Sequence, residues 1–296
     1  MGLLEFQTRF PSEQECREYL AGIRFPSSPS CPRCGSPLMG SVRTRGLWQC
    51  KVKTCRVQTS VTAGTMFHRT RTPLHLWFWT VFLVAKDKRG HSALQLSKEL
   101  NIPYARAWLM LHKIRDAMAQ RDALYRLDGV VEMDEAYFGG PDSGKRGRGT
   151  RRAKAIVALG LREDGKPRFV KMRKVRRLDT RSVNAYARAG IARGSTIRTD
   201  GLNVYNELST RGFRHEATIA PGRGKDDVLH WTHTIISNAK AFISGTFHGL
   251  DDQHIQSYLG EFCYRFNRRH REPELFDRLL TACVTAPPMT RDELTA

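Results

Sequence analysis

The stretch Val130-Val-Glu-Met-Asp-Glu-Ala-Tyr-Phe-Gly-Gly140 decides how the rest of this 296-residue chain is read. Val130, Val131, Met133, Ala136, Tyr137 and Phe138 favour a largely buried strand. Asp134 sits in the middle of it, flanked by Glu132 and Glu135. Side chains alternate between faces along a strand, so Glu132 and Asp134 share one face and Glu135 points away. A carboxylate inside a buried strand is costly unless it is paired or holds a cation. An arginine partner would account for it, and so would a strand whose acids are turned to water. The sharper reading makes Asp134 a metal-binding catalytic acid, which requires carboxylate partners further along the chain.

Outward from that strand, the charge balance narrows the partners. Lys and Arg number 49 against 29 Asp and Glu, a net charge of +20. Such a surface attracts polyanions, and nucleic acid is favoured over an anionic membrane because no basic amphipathic helix or lipidation signal accompanies the charge. No apolar run is long enough to span a bilayer, and the N-terminus lacks the layout of a signal peptide. The expected compartment is the cytoplasm, with no membrane partner. At 40% apolar residues the chain can build a real core, and its length suits two or three domains.

Four of the seven cysteines are clustered as Cys31-Pro-Arg-Cys34 and Cys50 with Cys55. The spacing C-x2-C, fifteen residues, C-x4-C lets two knuckles present four thiolates to one tetrahedral ion, and zinc is the usual occupant. Cys16, Cys263 and Cys283 are scattered, which argues against a secreted disulfide framework. A ribbon this small needs its metal in order to fold. The expected organisation is a lead-in helix capped by Ser12 plus the zinc ribbon over 1–60, a helical region over 61–125, a catalytic domain over 126–285 and a frayed tail over 286–296.

Within 61–125, Thr72-Pro73 opens a helix that is apolar on nearly every side and therefore buried. Ser92 to Leu100, the turn Asn101-Ile-Pro103 and Tyr104 to Met118 read as a helix-turn-helix, from which Arg106, His112, Lys113 and Arg115 could reach DNA. Two helices joined by a turn also occur in many folds that touch no DNA. Residues 120–128 read as a linker. The segment 141–154 is rich in glycine and in basic residues, among them Arg146 and Arg148, and reads as a loop on phosphates or as a merely solvated one.

Two further strands are expected over 155–161 and 168–175, then a helix over 180–189 and a short strand ending in Asp200. Helices follow over 230–244 and 251–269. Three strands, a helix, a strand bearing a second acid and then more helices is the order of an RNase H-like α/β fold, a mixed sheet flanked by helices. Enzymes of that fold cut or join phosphodiesters with two divalent cations held on carboxylates.

The ribbon, Gly64-Thr65, Thr72-Pro73, Met133-Asp-Glu-Ala-Tyr-Phe-Gly-Gly140, Thr199-Asp-Gly201, Gly245-Thr-Phe-His248 and Tyr258 to Arg269 together resemble a bacterial insertion-sequence transposase. The group is the family numbered fifteen-ninety-five, the ISXO-two-like elements, and the likeness covers roughly residues 15 to 280. The resemblance implies a DDE-type transposase that binds the terminal inverted repeats of its element and target DNA. It implies cleavage and strand transfer with Mg2+ or Mn2+ held by Asp134 and Asp200, on a homodimer or larger assembly on DNA. Members commonly carry Glu as the third acid, seven residues before Lys or Arg, and some carry Asn. Alignment on Lys240 puts His233 at that position, with Asn238 nearby and Glu261 in reserve. On a helix His233 lies about 20° from Lys240 and Asn238 about 160° from it, which favours His233. Both are weaker magnesium ligands than Glu. Lys240 would contact the transferred DNA end, and Arg265, Arg268 and Arg269 flanking phosphates. Two other readings stay open: a zinc-ribbon DNA-binding regulator without catalysis, and a decayed transposase that binds DNA without cutting it.

Overall fold

The computed structural model describes residues 1–42, 45–139, 152–218, 229–248 and 250–295. They form two compact units: Met1–Asp87 with His91–Ala117 and Arg271–Ala296, and Lys88–Gly90 with Met118–His270. The expected loop arginines Arg146 and Arg148, with Lys145 and Arg151, lie outside the described residues. Among the described residues no helix is long and apolar enough to cross a membrane.

The first unit begins with α1 (Leu3–Arg9) and α2 (Glu13–Arg24), followed by a three-stranded antiparallel ribbon of β1 (Met39–Val42), β2 (Leu47–Cys50) and β3 (Gln58–Ser60). Ser12 caps α2 by accepting a hydrogen bond from the Gln14 amide, as its sequence position predicts. α3 (Leu74–Lys86) buries Trp77, Phe78, Val81, Phe82 and Val84, residues that ring the helix. Its open first turn is closed by another helix: both oxygens of Glu13 accept from the Leu74 and His75 amides, at 3.0 and 2.9 Å. Phe6, Phe10, Phe78, Phe82 and Phe276 pack ring on ring at the centre, each contributing roughly 1.5–3 kcal/mol through burial. Phe276 belongs to α9 (Leu275–Thr285), so a segment expected in the catalytic domain packs with the N-terminal helices instead. Residues expected as a frayed tail include a short helix, Arg291–Thr295.

α4 (Ala93–Glu99) and α5 (Tyr104–Ala123) form the expected helix pair. Ser92 caps α4, and Asn101 takes a left-handed φ of 49° in the turn, a conformation asparagine tolerates. The structure corrects two expected DNA contacts here. His112 is buried and stacked on Trp108, and Arg115 is buried and donates to the His91 carbonyl. Both belong to a stretch of α5 buried over more than half of its circumference, whereas Arg106 in the first turn is exposed. α5 also runs to Ala123, through residues expected to be linker.

The second unit is a five-stranded sheet of β4 (Val130–Phe138), β5 (Ala153–Leu161), β6 (Pro167–Val175), β7 (Thr196–Thr199) and β8 (Arg214–Ala217), in the order β6-β5-β4-β7-β8. β4, β5 and β6 are antiparallel, while β7 and β8 run parallel to β4. Numbered by sequence this is 3-2-1-4-5, a mixed RNase H-like sheet. β8 was not anticipated, being four residues with mostly exposed side chains.

α6 (Thr180–Gly190) and a tight helix at Asn203–Arg211 cover one face, meeting Val131, Met133, Ile156 and Ile197. α7 (His230–Thr246) and α8 (Ile255–Asn267) cover the other, meeting Ala136, Phe138, Val157 and Leu159. The alternation along β4 is therefore the expected one, with even-numbered residues toward α7 and α8.

β6 is an edge strand, yet side chains occupy backbone groups along its outward side. Asn267 accepts from the Val170 amide and donates to the Val170 carbonyl, at 2.8 and 3.1 Å. Gln256 does the same for the Lys174 amide and the Met172 carbonyl. Two carboxamides on α8 thus stand in for the peptide groups of a missing neighbour.

Candidate active site and zinc centre

Parallel pairing of β4 with β7 sets the geometry of the acids. The last register pair is Glu132 with Arg198, an offset of 66, and Asp134 and Asp200 have the same offset two positions on. The register thus sets Asp134, in the middle of β4, beside Asp200, just past the end of the adjacent parallel β7. Gly201 follows with φ 81°, a turn only glycine makes without strain, and Asp200 Oδ1 accepts from the Leu202 amide at 3.2 Å.

Carboxylate oxygens of Asp134, Glu135 and Asp200 lie within 4.8 Å of one another. Asp134 is 9% exposed, whereas Asp200 is open to solvent. Burial pushes the Asp134 carboxyl above its ordinary range. The Glu135 amide and His233 pull it down, and the Asp200 charge adds to the upward push. Asp134 Oδ1 accepts from the Glu135 amide at 2.8 Å, and its Oδ2 lies 3.2 Å from His233 Nε2.

Glu135 is the residue sequence reasoning passed over. Its strand position does face the opposite side, where Tyr205 donates to Glu135 Oε2 at 3.2 Å. Its long side chain nevertheless brings a carboxylate oxygen to the other two acids. Burial and the neighbouring carboxylates hold the Tyr205 phenol far above its usual range, so it stays a donor.

Glu132 has a different task. Buried on the Asp134 face, it accepts from the Thr232 amide at 3.1 Å and from the Thr232 hydroxyl at 2.7 Å. Thr232 lies in the first turn of α7, so a strand carboxylate caps the helix that carries His233. The adjacency of His233 to Asp134 follows from this anchor. Lys240, two turns on, shares its helical phase and is exposed, as is Asn238 on another side of the helix.

The remaining expected residues are engaged elsewhere. Glu261 is buried and takes two bonds from Arg265, at 2.9 and 2.7 Å. The expected phosphate contact at Arg268 is corrected: it is buried, donates to Asp122 Oδ1 at 2.7 Å and stacks on Tyr264. Arg269 donates to the Arg168 and Phe266 carbonyls. The arginine-rich end of α8 thus fastens the unit's interior.

In the ribbon, Cys31 Sγ lies 3.6 Å from Cys55 Sγ, and Cys34 Sγ 3.7 Å from Cys50 Sγ. Zinc–sulfur bonds of about 2.3 Å in a tetrahedron put sulfurs about 3.8 Å apart, so the four thiols fit one zinc ion. The Cys34 amide helps pull the Cys31 thiol down to about 6, whereas burial pushes Cys50 up to about 12. The carboxylate trio supplies hard oxygen donors, partly open to solvent, which suits magnesium or manganese. Among the described residues these are the two groups of metal-ligating side chains.

An RNase H-like sheet with one acid in the middle of its first strand and another just past the end of its fourth, in a chain that also carries a four-cysteine ribbon, defines a transposase-type protein. The family comparisons agree: the ISXO2-like transposase domain matches residues 126–267, and the transposase zinc-ribbon domain matches residues 11–58. The chain belongs to the ISXO2-like insertion-sequence transposase family. No individual curated protein matches it.

Proposed function

We propose that the protein binds the ends of its insertion sequence and catalyses phosphodiester cleavage and strand transfer there. The observation that carries this reading is the strand register that brings the Asp134 and Asp200 carboxylates together with Glu135. Asp134, Asp200 and Glu135 would hold divalent cations. Bound there, magnesium or manganese would supply Lewis acidity at the scissile phosphate and lower the pKa of the attacking hydroxyl or water. The chain's own part is positional. Burial and the Glu135 amide fix the rotamer of Asp134, and His233 Nε2 orients its outer oxygen. Lys240 and Arg106 would hold DNA phosphates, with the basic segment 141–154 adding to the attraction.

His233 is favoured over Asn238 as the third residue of the site because it touches Asp134. Its imidazole acts here on a carboxylate and leaves the oxygen donation to Glu135. The test is Mg2+- or Mn2+-dependent nicking of a duplex bearing the inverted repeats that flank the reading frame. Nicking that disappears in Asp134→Asn and Asp200→Asn supports the reading. Tight binding of the repeats without nicking by the wild-type chain would instead identify a transposase without its chemistry. Full activity of His233→Ala, with none in Asn238→Ala, would move the third role to Asn238.

A further inference from the structure

Away from the carboxylates, the first unit has a groove of about 550 Å³ bordered by the β2 end of the ribbon, α2 and the start of α3. Three arginines line it: Arg17 from α2, Arg45 just before β2 and Arg71 just before α3. One acid, Glu13, shares it, leaving three positive charges against one negative, a net of +2. Glu13 is already committed, since both its oxygens accept from the first amides of α3 and it stands 3.9 Å from Arg17. Arg45 and Arg71 are exposed, and among the described residues neither is paired with a carboxylate. Thr62 and Thr72 line it as well, the Thr62 hydroxyl sharing a hydrogen bond with that of Ser60 at 3.0 Å. Gly46 lines the groove beside Arg17: it has a φ of 58°, and a Cβ there would meet the Arg17 guanidinium.

We propose that this groove holds the phosphate backbone of duplex DNA, with Arg45 and Arg71 as its principal contacts and Arg17 behind them. Exposed guanidinium groups along an open trough match a phosphodiester. Because backbone contacts carry no base information, the groove would add affinity equally on any sequence. It would align the zinc ribbon along the duplex and leave selection of the element's ends to other residues. This inference rests on the DNA-binding reading above and deepens it.

The experiment measures the affinity of the full-length, zinc-loaded chain for a random-sequence duplex and for a repeat-bearing duplex across a salt series. Removing one arginine–phosphate pair flattens the slope of log affinity against log salt by about 0.9. The double variant Arg45→Gln/Arg71→Gln is therefore expected to flatten it by about 1.8 on both duplexes, with zinc content unchanged. Arg45→Lys/Arg71→Lys, which keeps the charges, is expected to restore the slope. An unaltered slope in the glutamine variant would overturn the inference, as would a weakening confined to the repeat-bearing duplex or a lysine variant as weak as the glutamine one. A wild-type chain that binds neither duplex would defeat the transposase reading itself, a separate failure.

Discussion

In the ribbon, four sulfurs come from residues 31–55 and two short knuckles hold them. In the sheet, Asp134 and Asp200 are 66 positions apart and a strand register holds them. The ribbon strands span three or four residues and bury little, so the ribbon's order is expected to depend on its ion. The sheet is packed on both faces by helices, so its acids are set before any cation arrives. A structural metal here replaces a core, whereas a catalytic one would be received by a core already built.

The largest test of that contrast is zinc removal. Chelation is expected to cost the ribbon roughly 10–16 kcal/mol of metal-linked stability. Amide-exchange protection across residues 39–60 should vanish while β4 to β7 stay protected. Equal exchange in both regions would break the distinction. Next comes Asp134→Asn, expected to lower nicking by several kcal/mol of barrier, on the order of a thousandfold, at an unchanged or higher melting temperature. A variant that unfolds instead would mean that the carboxylate holds the sheet together.

Smaller effects sharpen the picture of how the sheet is prebuilt. Arg268→Ala leaves Asp122 buried without its guanidinium and should cost about 3–5 kcal/mol in urea unfolding, with zinc content intact. Thr232→Val removes one of the two donors to Glu132 and should cost about 1–3 kcal/mol. It should also slow nicking several-fold as α7 loosens, with Thr232→Ser restoring the rate. An unchanged rate in the valine variant would deny Glu132 its positioning role.

What could be read from sequence follows the same division. The ribbon was legible because its ligands are local and their spacing encodes their meeting. The β4 strand was legible through periodicity, while the pairing of Asp134 with Asp200 and the choice of His233 on the face of Lys240 came from element order, helical phase and the family resemblance together. Groups whose partners lie far along the chain were not. Arg268 looked like a phosphate contact because Asp122, its partner, lies 146 residues earlier. Glu132 gave no hint of Thr232, 100 residues later. Glu135 was passed over because alternation fixes where a Cβ points, while a flexible side chain can still bring its carboxylate back to the other acids. His112 and Arg115 were counted as DNA contacts by residue type alone, although this stretch of α5 is buried over more than half of its circumference, with Met110, Leu111, Ile114, Ala117 and Met118 all covered.

Asn267 and Gln256 have a consequence beyond the stability of one strand. A protein drawn to DNA in numbers brings its copies to high local concentration, where a bare rim would invite them to zip into ladders. With those carboxamides docked at Val170, Met172 and Lys174, that rim offers an incoming chain fewer groups to grip, and β8 at the opposite rim is only four residues long. Crowding on the duplex therefore need not end in fibres.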